Sequence, residues 1–313
     1  MTITRGWKIA VTVLFYALLT GFLARYLRGT DWAELARLHF SPLYLLAAVP
    51  FSLGSRMLQP VAWSVLIRGY GDHPPPYAQL TRVYAISWMG RYIPGKVAWI
   101  GAKIFFGREY GIRAATLGAT SVAEAALHLA TALVLAFVLI ALWGDALVVA
   151  GDLRLLALVA LLGMIVFLAP PVFNRMTRWA RSLMKTAPDA GAGGISYGTL
   201  LGSGILYLLI HAMSGPPIWL VLKSVYPAVA ASLIPELTAA VLLAGTLGTL
   251  ALFAPAGLGV REGILIVLLG LLVPRSVAVA GVLVLRLWSI TMDLLYYGLA
   301  VALHRAKPQP THG

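Results

Sequence analysis

The chain has 313 residues, of which 60% are hydrophobic and only 11% are charged, whereas soluble globular domains carry roughly 25% charged residues. This composition indicates a polytopic helical membrane protein. The net charge of +13 would suggest a nucleic-acid-binding protein if the chain were soluble, but in a membrane protein it is explained by the Lys and Arg residues that accumulate in cytoplasmic loops. The chain has no cysteine, which excludes disulfides, thiolate metal sites and cysteine nucleophiles.

Six apolar segments have the length of full membrane spans, since about 20 residues at 1.5 Å per residue cross a hydrocarbon core of roughly 30 Å. The predicted spans are 7–24, 41–67, 115–142, 153–173, 196–222 and 277–303. The first is predicted to be a retained helix, because "MTITRGWK" leads into it without a cleavage signal. After it, "DWAELARLHF" has the pattern of a short interfacial helix.

Two further regions are apolar but interrupted. Region 77–107 is broken at "RYIPGK", and region 236–273 is broken at "APAGLGVREG". Each half is short for a span, so both regions are predicted to be re-entrant helical hairpins within a single membrane domain, 1–313. The predicted tips contain the helix-breaking residues Pro94, Gly95, Pro255, Gly257 and Gly259. Eight or more full spans remain the alternative.

The distribution of Lys and Arg orients the chain. With a cytoplasmic N-terminus and two re-entrant regions, eleven basic residues face the cytoplasm: Arg5, Lys8, Arg68, Arg108, Arg113, Arg175, Arg178, Arg181, Lys185, Arg305 and Lys307. Six face outward: Arg25, Arg28, Arg37, Arg154, Lys223 and Arg275. This excess predicts that both termini are cytoplasmic and that "NRMTRWARSLMK" is a cytoplasmic loop.

The same topology makes the two predicted hairpins enter from opposite sides of the membrane. Opposed broken elements in the two halves of a chain are typical of transporters built from inverted repeats. The halves share no convincing residue-level repeat, so this symmetry follows from the predicted topology alone.

The broken regions carry a resemblance to a known family. The segments "GRYIPGKVAWIGAKIFFGREYGI", "APAGLGVREGILIVLLGLL" and "VLRLWSITMDLLYYGLAVAL" resemble the lysylphosphatidylglycerol synthase transmembrane (flippase) family. The resemblance covers nearly the whole chain. It implies a bacterial inner-membrane protein that moves lipids between leaflets, with re-entrant helices meeting near the membrane centre.

The resemblance also bears on individual residues and on the limits of the function. It places an acidic residue in the helix of Glu124 and a glutamate after the second Gly-x-Gly, at Glu262. In bifunctional members a soluble aminoacyl-transferase domain follows the membrane region. We expect a stand-alone member here, so the resemblance supports a flippase-type domain and not lipid aminoacylation.

Basic residues flank both predicted tips. Arg91 and Lys96 lie beside one tip and Arg261 beside the other. A phosphodiester headgroup carries a localised negative charge, and freed backbone N–H groups together with Arg or Lys side chains stabilise such a charge. We therefore predict a lipid headgroup site at these three residues. The alternative is that Arg91 and Lys96 extend to the cytoplasmic headgroup layer.

Other ionisable residues lie deep within predicted spans, where charge is costly and points to function by default. Glu124, Glu262, Arg286 and Asp293 are predicted to shape the charge of a central cavity or to respond to protonation. Arg56 lies midway along the second span. Structural pairing is the alternative, with Arg286 pairing with Asp293 or Glu262. His128 and His211 are interpreted as packed core histidines.

The sequence contains no persuasive enzyme motif, such as a Walker A loop, H-E-x-x-H or G-x-S-x-G, and no catalytic residue, metal site or cofactor is predicted. The predicted function is a flippase or scramblase that moves a phospholipid or lipid-linked intermediate through a polar cavity. Two alternatives stay open: a non-transporting protein that presents lipid to a separate transferase, and a membrane-embedded transferase. Homo-oligomerisation is also open, whereas nucleic acid is not an expected partner.

Overall fold

The computed structural model describes residues 40–92, 98–144, 169–183, 194–251 and 259–305, with isolated positions at 21, 155, 158–159, 162–163 and 166. Every regular element within these ranges is helical, as the composition predicts. The helices are α1 Pro42–Gly69, α2 Tyr77–Met89, α3 Ala98–Arg108, α4 Ala114–Trp143, α5 Pro170–Leu183, α6 Tyr197–Ala212, α7 Gly215–Val225, α8 Ile234–Leu250, α9 Val260–Leu269 and α10 Arg275–Arg305. Short 3-10 turns, Gly90–Tyr92 and Ala231–Leu233, follow α2 and precede α8.

Four helical stretches in the described residues are long and apolar enough to cross a membrane: Ala114–Trp143, Tyr197–Val225, Ala231–Leu250 and Arg275–His304. Three of them match the predicted spans 115–142, 196–222 and 277–303. The stretch Ala231–Leu250 corrects one expectation, because its 20 residues suffice to span, although the first half of the second broken region was predicted to be too short. Helix α1, at 28 residues, coincides with the predicted span 41–67.

Other sequence predictions fall elsewhere. The predicted span 7–24, the interfacial "DWAELARLHF" helix and most of 153–173 lie outside the described residues. The basic segment predicted to be a loop is instead largely helical, because α5 runs from Pro170 to Leu183. Phe173 anchors this helix in the core, and the Asn174 side chain bonds both backbone groups of Ile195, whose amide donates to the Asn174 oxygen at 2.8 Å.

Helices α2 and α3, which flank the first interruption, pack against each other and are called the first hairpin here. The end of α2 lies directly on the start of α3, since a Cβ added at Gly90 would come within 2.8 Å of the Trp99 backbone nitrogen. At the other end of these helices, Arg113 Nε donates to Asp72 at 2.8 Å. This hydrogen bond connects the segment that precedes α2 to the segment that follows α3. Only glycine permits the close approach at position 90.

Helices α8 and α9 form the second hairpin in the same way. A Cβ added at Gly248, near the end of α8, would lie 2.8 Å from the Arg261 Cβ. Gly259 precedes α9 with a φ of +82°, a conformation that favours glycine. Its amide donates to the Glu262 carboxylate at 2.8 Å, so this acidic side chain caps the first turn of α9.

The described residues nearest to the two interruptions approach the interior of α10. Residues Arg91 and Tyr92 at the first tip reach Asp293, while Glu262 at the start of the second tip's outgoing helix reaches Arg286. These two α10 residues lie seven positions apart on one face, or about 10 Å along the helix axis at 1.5 Å per residue. The long helix α10 therefore connects the two hairpins.

Helices α6 and α7 follow one path with a break at Met213 and Ser214, where the sequence "SGPP" predicts a kink. Close packing of small residues supports the break. A Cβ added at Gly215 would lie 2.4 Å from the Thr238 hydroxyl of α8. The break therefore brings Ser214 and α7 against the second hairpin.

Candidate functional site

The centre of the candidate site is the carboxylate of Asp293 on α10, whose side chain is only 1% exposed. Its Oδ1 accepts from Arg56 of α1, with the guanidinium Nη2 at 2.8 Å and Nε at 3.0 Å. Its Oδ2 accepts from the Tyr92 hydroxyl at 2.6 Å and lies 3.6 Å from Arg91 Nη2. Trp88 Nε1 is 3.4 Å from Oδ1. Two arginines and two aromatic donors therefore surround one buried carboxylate.

A second ion pair lies two turns earlier on α10. Arg286 Nη1 is 3.2 Å from Glu262 Oε1, and both side chains are about one-fifth exposed at 17% and 20%. Of the two partners considered from the sequence, Arg286 thus pairs with Glu262, and the Arg286–Asp293 alternative is wrong. Arg286 and Asp293 share a face of α10, but the packing of neighbouring helices decides the ion pairs, because α1 brings Arg56 to Asp293.

A cavity of about 130 Å³ lies between these two ion pairs. This volume has room for several water molecules. Its polar lining consists of four serines and two arginines: Ser52, Ser55, Ser214, Ser289, Arg56 and Arg261. Trp288 and aliphatic side chains of α7, α8 and α10 complete the wall, and Trp288 Nε1 donates to the Ser52 hydroxyl at 3.1 Å.

Arg261 is the cation that faces this cavity without a counter-ion. It is half-buried, and it makes no hydrogen bond or ion pair with another described residue. Arg91, Arg286, Glu262 and Asp293 are close enough to act on it electrostatically. Because uncompensated charge is costly in such surroundings, Arg261 is suited to receive an anion.

The charge balance of the site favours an anion. Among the described residues, the two ion pairs and the cavity wall contain four guanidinium groups and two carboxylates. The cations are Arg56, Arg91, Arg261 and Arg286, and the anions are Glu262 and Asp293. The site therefore carries two positive charges in excess, in a region of low dielectric where electrostatic interactions are strong.

The structure brings together some of the predicted headgroup residues and leaves others aside. Arg91 and Arg261 both lie at the site, whereas Lys96 and the tip residues Pro94, Gly95, Pro255 and Gly257 lie outside the described residues. Gly259 is described and begins the second half of the second hairpin. Sequence reasoning noted Arg56 in its span but did not assign it to the site. Its charge in an apolar helix was the signal that could have identified it.

Glu124 does not lie at this cavity but forms a separate buried group. Its carboxylate pairs with the Lys103 ammonium and accepts from the Tyr84 hydroxyl at 2.5 Å. The ammonium also lies over three aromatic rings, 4.1 Å from the ring centroid of Tyr84, 4.3 Å from Trp63 and 5.3 Å from Trp99. Such cation–π contacts stabilise a cation that has lost its water.

Lys103 is the partner that sequence reasoning missed. Its side chain is 1% exposed, although it belongs to the same charged stretch as the first predicted tip. Opposite charges buried at similar depth in two neighbouring helical segments were the available signal. The ion pair connects α3 of the first hairpin to α4. Tyr84 belongs to α2 and donates to the same carboxylate, so both helices of the hairpin contact α4 through this group.

The two histidines pack against each other in the bundle. The ring centroids of His128 and His211 are 4.5 Å apart, and His211 Nε2 lies 3.0 Å from the carbonyl oxygen of His128. Tyr207 contacts the His128 ring edge-to-face at 5.7 Å. Within the described ranges, no group of three histidine or carboxylate side chains is arranged to hold a metal ion.

Comparison with known proteins places this geometry in a family. The family model for the lysylphosphatidylglycerol synthase TM region matches residues 7–296. No curated protein matches the chain. The match includes both hairpins, the buried ion pairs and α10 as far as residue 296. The chain therefore belongs to the lysylphosphatidylglycerol synthase transmembrane family and is a membrane protein related to lipid handling.

Proposed function

We propose that the chain is a lipid flippase or scramblase that moves the anionic headgroup of a phospholipid or lipid-linked intermediate between leaflets. The observation that carries the proposal is the excess of guanidinium groups in and beside a polar cavity lined by α1, α7, α10 and the second hairpin. A headgroup phosphate would enter this cavity, while the acyl chains stay in the surrounding lipid.

The cavity wall offers the donors that a phosphate requires. Arg261 presents an unpaired guanidinium, and Arg56 lines the same cavity. A guanidinium binds phosphate oxygens through two parallel N–H groups, and serine hydroxyls donate to the oxygens that remain. Arg91, held at Asp293, adds positive charge from the first hairpin. Lys96 is proposed to extend this charge toward the tip.

The depth of the site supports re-entrant hairpins. Arg56 lies near the middle of α1, a helix of 28 residues and thus about 42 Å long at 1.5 Å per residue. Asp293 lies well inside α10, which has 31 residues. Since Arg91 and Tyr92 contact Asp293, to which Arg56 is also bound, they would lie about 20 Å from either end of α1, within the hydrocarbon region. Irregular backbone at that depth is tolerated where it lines a polar cavity.

The proposed orientation places the open end of the first hairpin in the cytoplasm of a bacterial cell, with the chain in the inner membrane. Exposed arginines at that end include Arg68, Arg108 and Arg113. Opposed hairpins would then gate the cavity from the two sides in turn. Glu262 and Asp293 would set the charge of the cavity, and Glu124 would hold the first hairpin or respond to protonation.

The test is translocation by purified protein. Fluorescent phosphatidylglycerol in proteoliposomes is exposed to an impermeant quencher, and the fraction reached from outside is followed over time. We expect Arg261→Gln to slow the exchange about tenfold or more, because a hydrogen bond to a charged group contributes roughly 1.5–3 kcal/mol. Arg68→Gln, an exposed arginine in the last turn of α1, is the matched control and should retain the wild-type rate.

The outcomes separate the function classes. Wild-type exchange no faster than in protein-free liposomes would refute the transporter proposal. Lipid binding without exchange would favour presentation of lipid to a separate transferase. Formation of a modified lipid on addition of an activated donor would instead favour a membrane-embedded transferase. Equal rates for Arg261→Gln and the wild type would remove this arginine from the mechanism.

A further inference from the structure

We propose that Asp293 is an internal competitor of the lipid phosphate. Its carboxylate would occupy Arg56 and Arg91 while the cavity is empty and release them to the phosphate of an incoming headgroup. This inference rests on the proposed function of the cavity as a headgroup site. It adds the identity of the group that the substrate must displace.

The contacts of Asp293 are those that a bound phosphate would make. A carboxylate and a phosphate both present anionic oxygens, and guanidinium groups bind either one in the same forked geometry. Arg56 contributes two nitrogens to Oδ1, at 2.8 and 3.0 Å, while Arg91 approaches Oδ2 at 3.6 Å. The longer distance makes Arg91 the easier of the two to detach.

The geometry favours exchange because Arg56 reaches the cavity and the carboxylate does not. Asp293 is 1% exposed and is absent from the cavity wall, whereas Arg56 lines it and is 16% exposed. Arg91 is 23% exposed. A phosphate arriving beside Arg261 would therefore meet the guanidinium of Arg56, which also donates to the carbonyl oxygens of Ser52 at 3.0 Å and Ser289 at 3.4 Å, with the carboxylate behind it.

Exchange would also transmit binding to the first hairpin. Arg91 and Tyr92 belong to the turn that ends α2, and Asp293 belongs to α10, so their contacts connect this tip to the long helix. If a phosphate takes Arg91 from Asp293, one of these contacts is lost. Substrate binding would thereby loosen the contact between this turn and α10. A ligand shifts a conformational equilibrium only when contacts differ between its two states, and the contact of Arg91 with Asp293 would be such a difference.

The test is lipid binding by the purified full-length chain, with phosphatidylglycerol titrated into detergent micelles and diacylglycerol, which lacks a phosphate, as the uncharged comparison. Asp293→Asn keeps the shape of the side chain but removes the competing charge. We expect it to tighten phosphatidylglycerol binding about tenfold, since the binding-competent fraction of the arginines rises. Adding Arg56→Gln should abolish that gain. Diacylglycerol binding should stay unchanged throughout.

A milder variant keeps the test decisive if Asp293→Asn does not fold. Tyr92→Phe removes the hydroxyl that donates to Oδ2 at 2.6 Å and leaves every charge in place. It should tighten phosphatidylglycerol binding about twofold, because the carboxylate is held less firmly. A folded Asp293→Asn or Tyr92→Phe protein that binds phosphatidylglycerol no more tightly than the wild type would overturn the inference.

Failure of this inference is distinguishable from failure of the proposed function. Binding in micelles requires no translocation, so tighter binding by Asp293→Asn would support the competitor even if wild-type protein moved no lipid. Conversely, wild-type translocation without any tightening in either variant would leave the transport proposal standing and remove the competitor role.

Discussion

Replacing Glu124 by glutamine tests whether the first hairpin is held by the buried charge pair with Lys103. Glutamine keeps an oxygen that can accept from the Tyr84 hydroxyl, so the change removes the negative charge and little else. The Lys103 ammonium, 1% exposed, then remains in the core with three aromatic rings but no counter-ion.

The magnitude follows from that burial. Removing one partner of a buried ion pair costs roughly 3–5 kcal/mol, because an uncompensated charge is left in a medium of low dielectric. The two side chains are 1% and 5% exposed, so solvent does not screen the loss. The cation–π contacts offset part of it, since each contributes roughly 0.5–2 kcal/mol. We expect the free energy of unfolding to fall by about 2–4 kcal/mol.

The assay is reversible unfolding in mixed micelles, followed by tryptophan fluorescence. Lys103→Met should destabilise by a similar amount, and the double variant by less than the sum of the two single changes, with a coupling of at least about 2 kcal/mol. Glu109→Gln is the matched control: this acid is 49% exposed and 3.7 Å from Arg82, so its loss should cost less than about 1 kcal/mol. Single changes below about 1 kcal/mol, with additive effects, would refute the reasoning.

Two further predictions concern the first hairpin. Gly90→Ala should lower the free energy of unfolding by about 1–3 kcal/mol, because the added Cβ would lie 2.8 Å from the backbone at the start of α3. Gly101→Ala, whose added Cβ would have nothing within 4 Å, should be neutral or stabilising. Thermal unfolding of both variants checks this. Burial raises the pKa of Asp72, but hydrogen bonds from neighbouring side chains, Arg113 among them, lower it by more, so the net pKa lies below 3.8. The contact of Asp72 with Arg113 therefore contributes stability above about pH 4, and this contribution is lost as the pH falls through the lowered pKa. Asp72→Asn should remove this part of the pH dependence of unfolding. An unchanged dependence of unfolding on pH in Asp72→Asn would contradict the assignment.

The helices were largely predictable because hydropathy is a local property of the chain. Four predicted spans agree with observed helices to within a few residues, as for 115–142 and Ala114–Trp143. The basic segment after residue 170 was wrongly predicted as a loop. Its charges suit a solvent-facing side, but Phe173 and Asn174 attach the other side to the core, and that attachment is a tertiary contact.

Several buried charged residues could be singled out from the sequence, but their ion-pair partners could not. Charge in an apolar helix is rare enough to single out Glu124, Arg286 and Asp293 from sequence. Their partners depend on which helices are neighbours: the Arg56 contact with Asp293 spans 237 positions. No local pattern records such a separation, so Arg286 remained undecided between two acids.

The sequence by itself determined that this is a helical membrane protein, that two of its apolar regions are interrupted by Pro and Gly, and that several charges lie within its spans. These properties depend on composition and on spacing along one segment. Only the tertiary structure decided that Arg56 and Arg91 share Asp293, that Lys103 neutralises Glu124, and that Arg261 faces the cavity without an ion pair to any residue that the structure describes. The physical reason is that a buried charge is stabilised by whichever side chain the packing brings to it, and packing joins segments that are distant in the chain.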